Sequence, residues 1–86
     1  MKPGYAPVFS LSAHAALLAA RRRSRAEIMR TILALAEAPF TAGDLTEGDD
    51  TGRTLQVVAL TDHVLTFWPD HATSELRIVK LERVAE

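Results

Sequence analysis

Eighty-six residues, 48% of them hydrophobic, with no cysteine and a formal net charge of −1, leave room for one core and no disulfide to staple it. No apolar run approaches the ~20 residues of a membrane span. Residues 1–5 are not followed by the apolar segment and small-residue cleavage site of a signal peptide, so a cytoplasmic chain with no membrane contact is expected. The small net charge hides an asymmetry. Residues 1–43 carry six basic and two acidic side chains, and residues 44–86 carry four and nine. A basic half attracts nucleic acid or an acidic partner, or the two halves attract each other within the fold. A net charge near zero also favours self-association, so a homodimer is one expected state.

Residues 1–7 contain Pro3, Gly4 and Pro7 and read as an extended arm, with residues 8–11 as a short strand. Ser12 offers a helix N-cap, and residues 13–22 contain strong helix formers and no breaker. The arginines at the end of that run suit the negative end of a helix dipole. Ser24-Arg25-Ala26-Glu27 has the capping-box pattern, which predicts a break at Arg23–Ser24 and a second helix from Ser24. Ile28, Ile32 and Leu35 then recur at helical spacing, and Pro39 ends the helix by forcing Ala38 out of the α region.

Residues 42–52 read as an acidic loop punctuated by Gly43, Gly48 and Gly52. Residues 53–60, 63–68 and 75–83 read as three strands joined by Thr61-Asp62 and by residues 69–74, since each is rich in β-branched, leucine or aromatic side chains. The middle one is apolar on both faces, as a central strand would be. The expected class is α+β: a two-helix hairpin on a small antiparallel sheet, with a three-stranded C-terminal meander and a short N-terminal strand as a fourth. Its core would join Leu17, Leu18, Ile28, Ile32 and Leu35 to Leu55, Val57, Leu65, Phe67 and Val79.

Chemistry is sparsely signalled. Asp62-His63 and Asp70-His71 contain metal and acid–base residue types, but they lie eight residues apart on one strand, or ~26 Å at ~3.3 Å per residue. They cannot share an ion within one chain, and turn chemistry explains both aspartates. One ion held between two copies is the remaining metal arrangement. His14 sits among alanines and reads as a surface or a satisfied histidine. The acidic loop lacks the ligand order of a calcium loop, and there is no nucleophile elbow or phosphate loop. No metal site within the chain and no cofactor are therefore expected.

Arg21, Arg22, Arg23 and Arg25 form the densest charge cluster. They are candidates for binding phosphates or an acidic segment, and equally a solvated helix end. Trp68 is a candidate for stacking on a base, and equally a core or interface residue. Arg53, Arg77 and Arg83 are strand-associated and suited either to phosphate or to cross-strand pairing with Glu75 and Glu82.

The helical pair in residues 12–38, the Ala38-Pro39-Phe40 and Gly43-Asp44 passage, and the strands at residues 52–57, 64–68 and 76–79 together resemble the RelE/ParE toxin superfamily. The resemblance spans nearly the whole chain as one domain and rests on element order and one loop. It implies a toxin-type protein neutralised by an antitoxin that wraps it, with RNA on the ribosome, or another macromolecule, as target. If such a protein is an enzyme, it is a metal-independent endoribonuclease. In that case Arg53 and Arg77 would stabilise phosphate charge, His71 would be the acid–base group, and Arg83 would be a basic residue of the last strand. The chain departs from the ribonuclease pattern in three ways. Residues 54–60 hold no lysine or arginine, the sole tyrosine is Tyr5, and the C-terminal segment ends acidic. It therefore resembles a degenerate member. The alternative is a non-catalytic interaction module of the same fold.

Overall fold

The computed structural model describes residues 4–84. The elements are β1 (Ala6–Phe9), α1 (Leu11–Ala19), α2 (Arg22–Glu37), β2 (Leu45–Gly48), β3 (Thr54–Ala59), β4 (His63–Asp70) and β5 (Glu75–Arg83). They make one five-stranded sheet in the order β1-β5-β4-β3-β2. β1 runs parallel to β5 and all other pairs are antiparallel. The α+β class and the meander are as expected. The short N-terminal strand expected as a fourth is present but parallel to its neighbour, so the sheet is mixed rather than antiparallel, and β2 at the other edge is a fifth strand that was not expected.

The N-terminal strand begins at Ala6, inside the segment read as an arm, and pairs Val8 with Arg77 and Phe9 with Ile78. Residues 1–3 of that arm lie outside the described residues. The helix cap is Ser10, not Ser12. Ser10 is extended, its Oγ accepts the Ala13 N–H at 3.1 Å, and it donates to the Val79 carbonyl at 2.8 Å. One side chain thus starts α1 and fastens it to the sheet.

The break between helices falls at Ala20 and Arg21, both extended, rather than at Arg23–Ser24. No breaker residue stands there. Tertiary contacts override local preference: Ala20 is buried, and Arg25 Nη2 donates to its carbonyl at 2.8 Å. The expected capping box does not form. Ser24 instead donates to Asp62 Oδ2 at 2.9 Å, and the Glu27 carboxylate accepts from the Thr61 hydroxyl at 3.1 Å. Both residues tie α2 to the β3–β4 turn. The arginines expected at the end of α1 consequently open α2.

The segment read as a loop contains β2, which pairs Leu45 with Val57 and Gly48 with Thr54. Four mostly polar residues ending in glycine carry too little strand signal to be read as one. The acidic residues beside them do turn work, as when Asp49 Oδ1 accepts the N–H groups of Thr51 and Arg53.

The helices cover one sheet face and bury Leu17, Ile28, Ile32 and Leu35 against Leu65, Phe67, Leu76, Ile78 and Leu81. Val79 is not part of this core. β4 and β5 lose register between Thr66 and Phe67, where Val79 is the extra residue. Such a bulge resets the alternation of faces, so Leu76 and Ile78 lie two apart and Leu81 three further on. Leu18 points away, 62% exposed, and Val57 is half-buried on the other face.

Candidate functional site

The face of the sheet away from the helices is where most of the expected site residues meet. Side chains alternate along a strand, so with Leu65 and Phe67 under the helices, Thr66 and Trp68 point to the open face. Their partners Val57, Lys80 and Arg77 point there with them. Flat, β5 and β2 would stand roughly three strand spacings of ~4.8 Å apart. Lys80 Nζ nevertheless reaches Glu47 Oε2 at 3.1 Å, so the face is concave and this ion pair roofs it. Beneath the roof, Leu55 and Thr66 are buried although no helix covers them.

Trp68 stands between two arginines. The Cζ of Arg53 is 4.0 Å from its ring centroid and that of Arg77 is 5.8 Å away, within reach of the ring quadrupole. Val8, Ser10 and Val79 join Trp68 and Arg77 around a recess of about 190 Å³. Both guanidinium groups have carboxylate partners. Arg53 Nη1 meets Asp49 Oδ2 at 3.1 Å, and Arg77 meets Asp70 Oδ2 at 2.9 Å and Glu75 Oε1 at 2.8 Å. The Arg77 hydrogen bond, helped by Thr73, holds the Asp70 carboxyl below its ordinary 3.8. The Thr51 hydroxyl, then the Arg53 and Thr51 backbone N–H groups and the Arg53 charge, does the same for Asp49. All these groups are screened by solvent, so the carboxylates mainly hold the guanidinium planes in place.

His71 turns elsewhere. Its Nδ1 is hydrogen-bonded to the Tyr5 hydroxyl at 2.7 Å, and its ring stacks on Phe40 at 4.8 Å. Tyr5 packs against the helix-side core and Phe40 follows α2. The histidine therefore belongs to the helix side of the sheet, while Arg53 and Arg77 lie with Trp68. Arg21, Arg22, Arg23 and Arg25 are exposed at the α1–α2 corner, and Arg83 lies close to it at the end of β5. Asp62-His63 and Asp70-His71 occupy opposite ends of β4. Among the described residues no group of three His, Asp or Glu side chains is placed to hold a metal ion, and no helix is long and apolar enough to cross a membrane. Sequence reasoning missed Lys80 and Glu47, whose pairing across four strands has no local signal. It also missed Tyr5 and Phe40 as partners of His71.

Two helices cover one face of a five-stranded sheet whose first strand runs parallel to the last. No protein-family model and no curated protein sequence matches the chain. Among solved structures it is similar to the crystal structure of the toxin-antitoxin complex RelBE2 from Mycobacterium tuberculosis. That match has a TM-score of 0.72 at 13% identity and covers 94% of this chain and 99% of that one. At that identity the likeness is one of fold.

Proposed function

We propose that this chain is the toxin-type component of a toxin–antitoxin pair, acting on a macromolecular target through the open face of its sheet and neutralised by an antitoxin. The carrying observation is the fold correspondence, which runs nearly the full length of both chains with a complex of that kind. The open face offers what an RNA or ribosomal target would meet: one aromatic plane for stacking and two cations beside it.

Binding is favoured over RNA cleavage. Phosphoryl chemistry without a metal needs cations free to take up developing charge and an acid–base group in reach of the same atoms. Here Arg53 and Arg77 are already paired with carboxylates, and His71 is engaged by Tyr5 away from them. Induced expression is the test. Growth arrest relieved by the product of an adjacent gene upholds the proposal, and normal growth at high soluble expression overturns it. Transcript ends mapped after induction separate the modes: new cleavage ends mean a ribonuclease.

A second reading is a non-catalytic homodimeric module. It is favoured by Leu11, Leu18, Leu33 and Phe40, which are 91%, 62%, 52% and 82% exposed on or beside the helices. Light scattering decides it: a monomer at micromolar concentration removes this reading.

A further inference from the structure

Cations on this surface fall into two groups. On the open face each is matched: Arg53 by Asp49, Arg77 by Asp70 and Glu75, and Lys80 by Glu47. On the helix side none is. Among the described residues no carboxylate lies within ion-pair distance of Arg21, Arg22, Arg23, Arg25, Arg30 or Arg83. All of these arginines are exposed. The acids nearest them are committed elsewhere, Asp62 to the Ser24 hydroxyl and Glu27 to the Thr61 hydroxyl.

The unmatched arginines form a stripe. From residue 21 to residue 30 the exposed side chains are five arginines and Ala26. Burial of Ile28 and Ile32 turns the opposite side of α2 outward. At about 3.6 residues per turn, Arg22, Arg23 and Arg30 fall within about 100° of one another on that outer side. Arg22 and Arg30 stand about 12 Å apart along the axis at ~1.5 Å per residue, too far to grip one phosphate together. Arg83, at the end of β5, lies beside Arg21 and extends the stripe. A protein interface centres on large, well-packed anchor side chains such as tryptophan and tyrosine, and the exposed part of residues 21–30 offers none. Repeated charge without an anchor fits a repeating anion.

We propose that this stripe docks the sugar–phosphate backbone of a nucleic acid, by charge and without reading bases. Unmatched guanidinium groups take phosphates and release the counterions condensed on the nucleic acid, which gives affinity independent of sequence. The open face supplies little of this, because its arginines and lysine must first leave their carboxylates. The docking stands without the toxin reading, since it needs neither the open face nor an antitoxin.

The test is binding of the full chain to a short labelled RNA duplex, and to a DNA duplex of the same sequence, by fluorescence anisotropy across a salt series. The logarithm of the binding constant should fall linearly with the logarithm of salt concentration. The expected slope is about −3 to −4, at roughly −0.9 per phosphate contacted. Arg22→Gln, Arg23→Gln and Arg30→Gln, all at exposed positions, should each make the slope shallower by about 1. Lys80→Gln removes the same charge from a matched site and should leave the slope unchanged. Tighter binding to RNA assigns an RNA backbone, and equal binding to both duplexes assigns either backbone. A slope near zero, or a change from Lys80→Gln as large as those from the arginine variants, overturns the proposal. So does poly-glutamate binding as tightly as the duplexes at the same salt, which would assign an acidic protein segment instead. None of these readouts depends on growth arrest, so failure here and failure of the proposed function are told apart.

Discussion

Arg53 lays its guanidinium 4.0 Å from the centre of the Trp68 ring while Asp49, four residues earlier, holds that guanidinium by one oxygen at 3.1 Å. The β2–β3 turn therefore positions a cation over the central strand. Trp68 is the sole tryptophan, so its fluorescence reports this contact without a label. Arg53→Gln should alter emission intensity and cost no more than ~1 kcal/mol of stability, the range of a solvent-exposed cation–π contact. An antitoxin or RNA that engages the open face should alter emission in the wild-type protein. A partner shown to bind by another method, with emission unmoved, would place its contact elsewhere.

The two serines at the start of α1 should behave differently. Ser10→Ala removes the acceptor for the Ala13 N–H and the donor to the Val79 carbonyl, and should destabilise by about 1 kcal/mol or somewhat more. Among the described residues Ser12 bonds only with the Ser10 hydroxyl, at 3.3 Å, so Ser12→Ala should lie within about 0.5 kcal/mol of wild type. Urea midpoints of the two variants decide between them, and equal losses would contradict the observed cap.

Gly43 lies against β3. A Cβ at that position would stand 2.7 Å from the Val57 carbonyl oxygen and 2.9 Å from its nitrogen, both backbone atoms that cannot swing aside. Its own N–H donates to Gln56 Oε1 at 2.7 Å. Gly43→Ala should therefore force β2 away from β3 and cost roughly 1–3 kcal/mol, the scale of overpacking. Gly48, which has open space around it, is the control. Hydrogen exchange at the Asp44 amide, bonded to the Val57 carbonyl, should quicken in the first variant.

Acid should weaken the two carboxylate–arginine contacts on the open face. Asp70 and Asp49 both have pKa values below the ordinary 3.8 in the folded state. The unfolded chain therefore binds more protons than the folded one just below the ordinary value, and stability rises with pH there. The contribution is fully present above about pH 4 and is lost as pH falls through the folded-state values. Asp70→Asn should flatten the fall of the urea midpoint as pH drops below about 4 without steepening it at pH 7. An unchanged slope would mean that the Arg77 pair contributes nothing to acid stability.

The elements were legible where a periodic apolar pattern was long enough to be read. Ile28, Ile32 and Leu35 announced α2, and residues 75–83 announced β5 to the residue. The misses share a physical cause. Ser24 and Glu27 have local capping chemistry, but Asp62 and Thr61, over thirty residues away, compete for the same side chains and win. Val79 looked like core until a bulge reset the faces, and a bulge has no signature in alternation alone. β2 is held by backbone bonds to β3 and by the Glu47 side chain, whose partner Lys80 lies on β5 where no local pattern points to it. Among the expected site residues, Arg53, Arg77 and Trp68 come together because register places them there. His71 separates from them because Tyr5 and Phe40, not predicted as its neighbours, hold its ring.

The position of β5 between β1 and β4 also orders events during synthesis. The strand that completes the core is the last to be made, and the first strand has no neighbour until it arrives. The helix pair alone cannot hide its leucines and isoleucines, because Leu76, Ile78 and Leu81 supply much of the opposing wall. The core therefore closes only when residues 75–83 join it, and that one step also fixes β1 at the sheet edge.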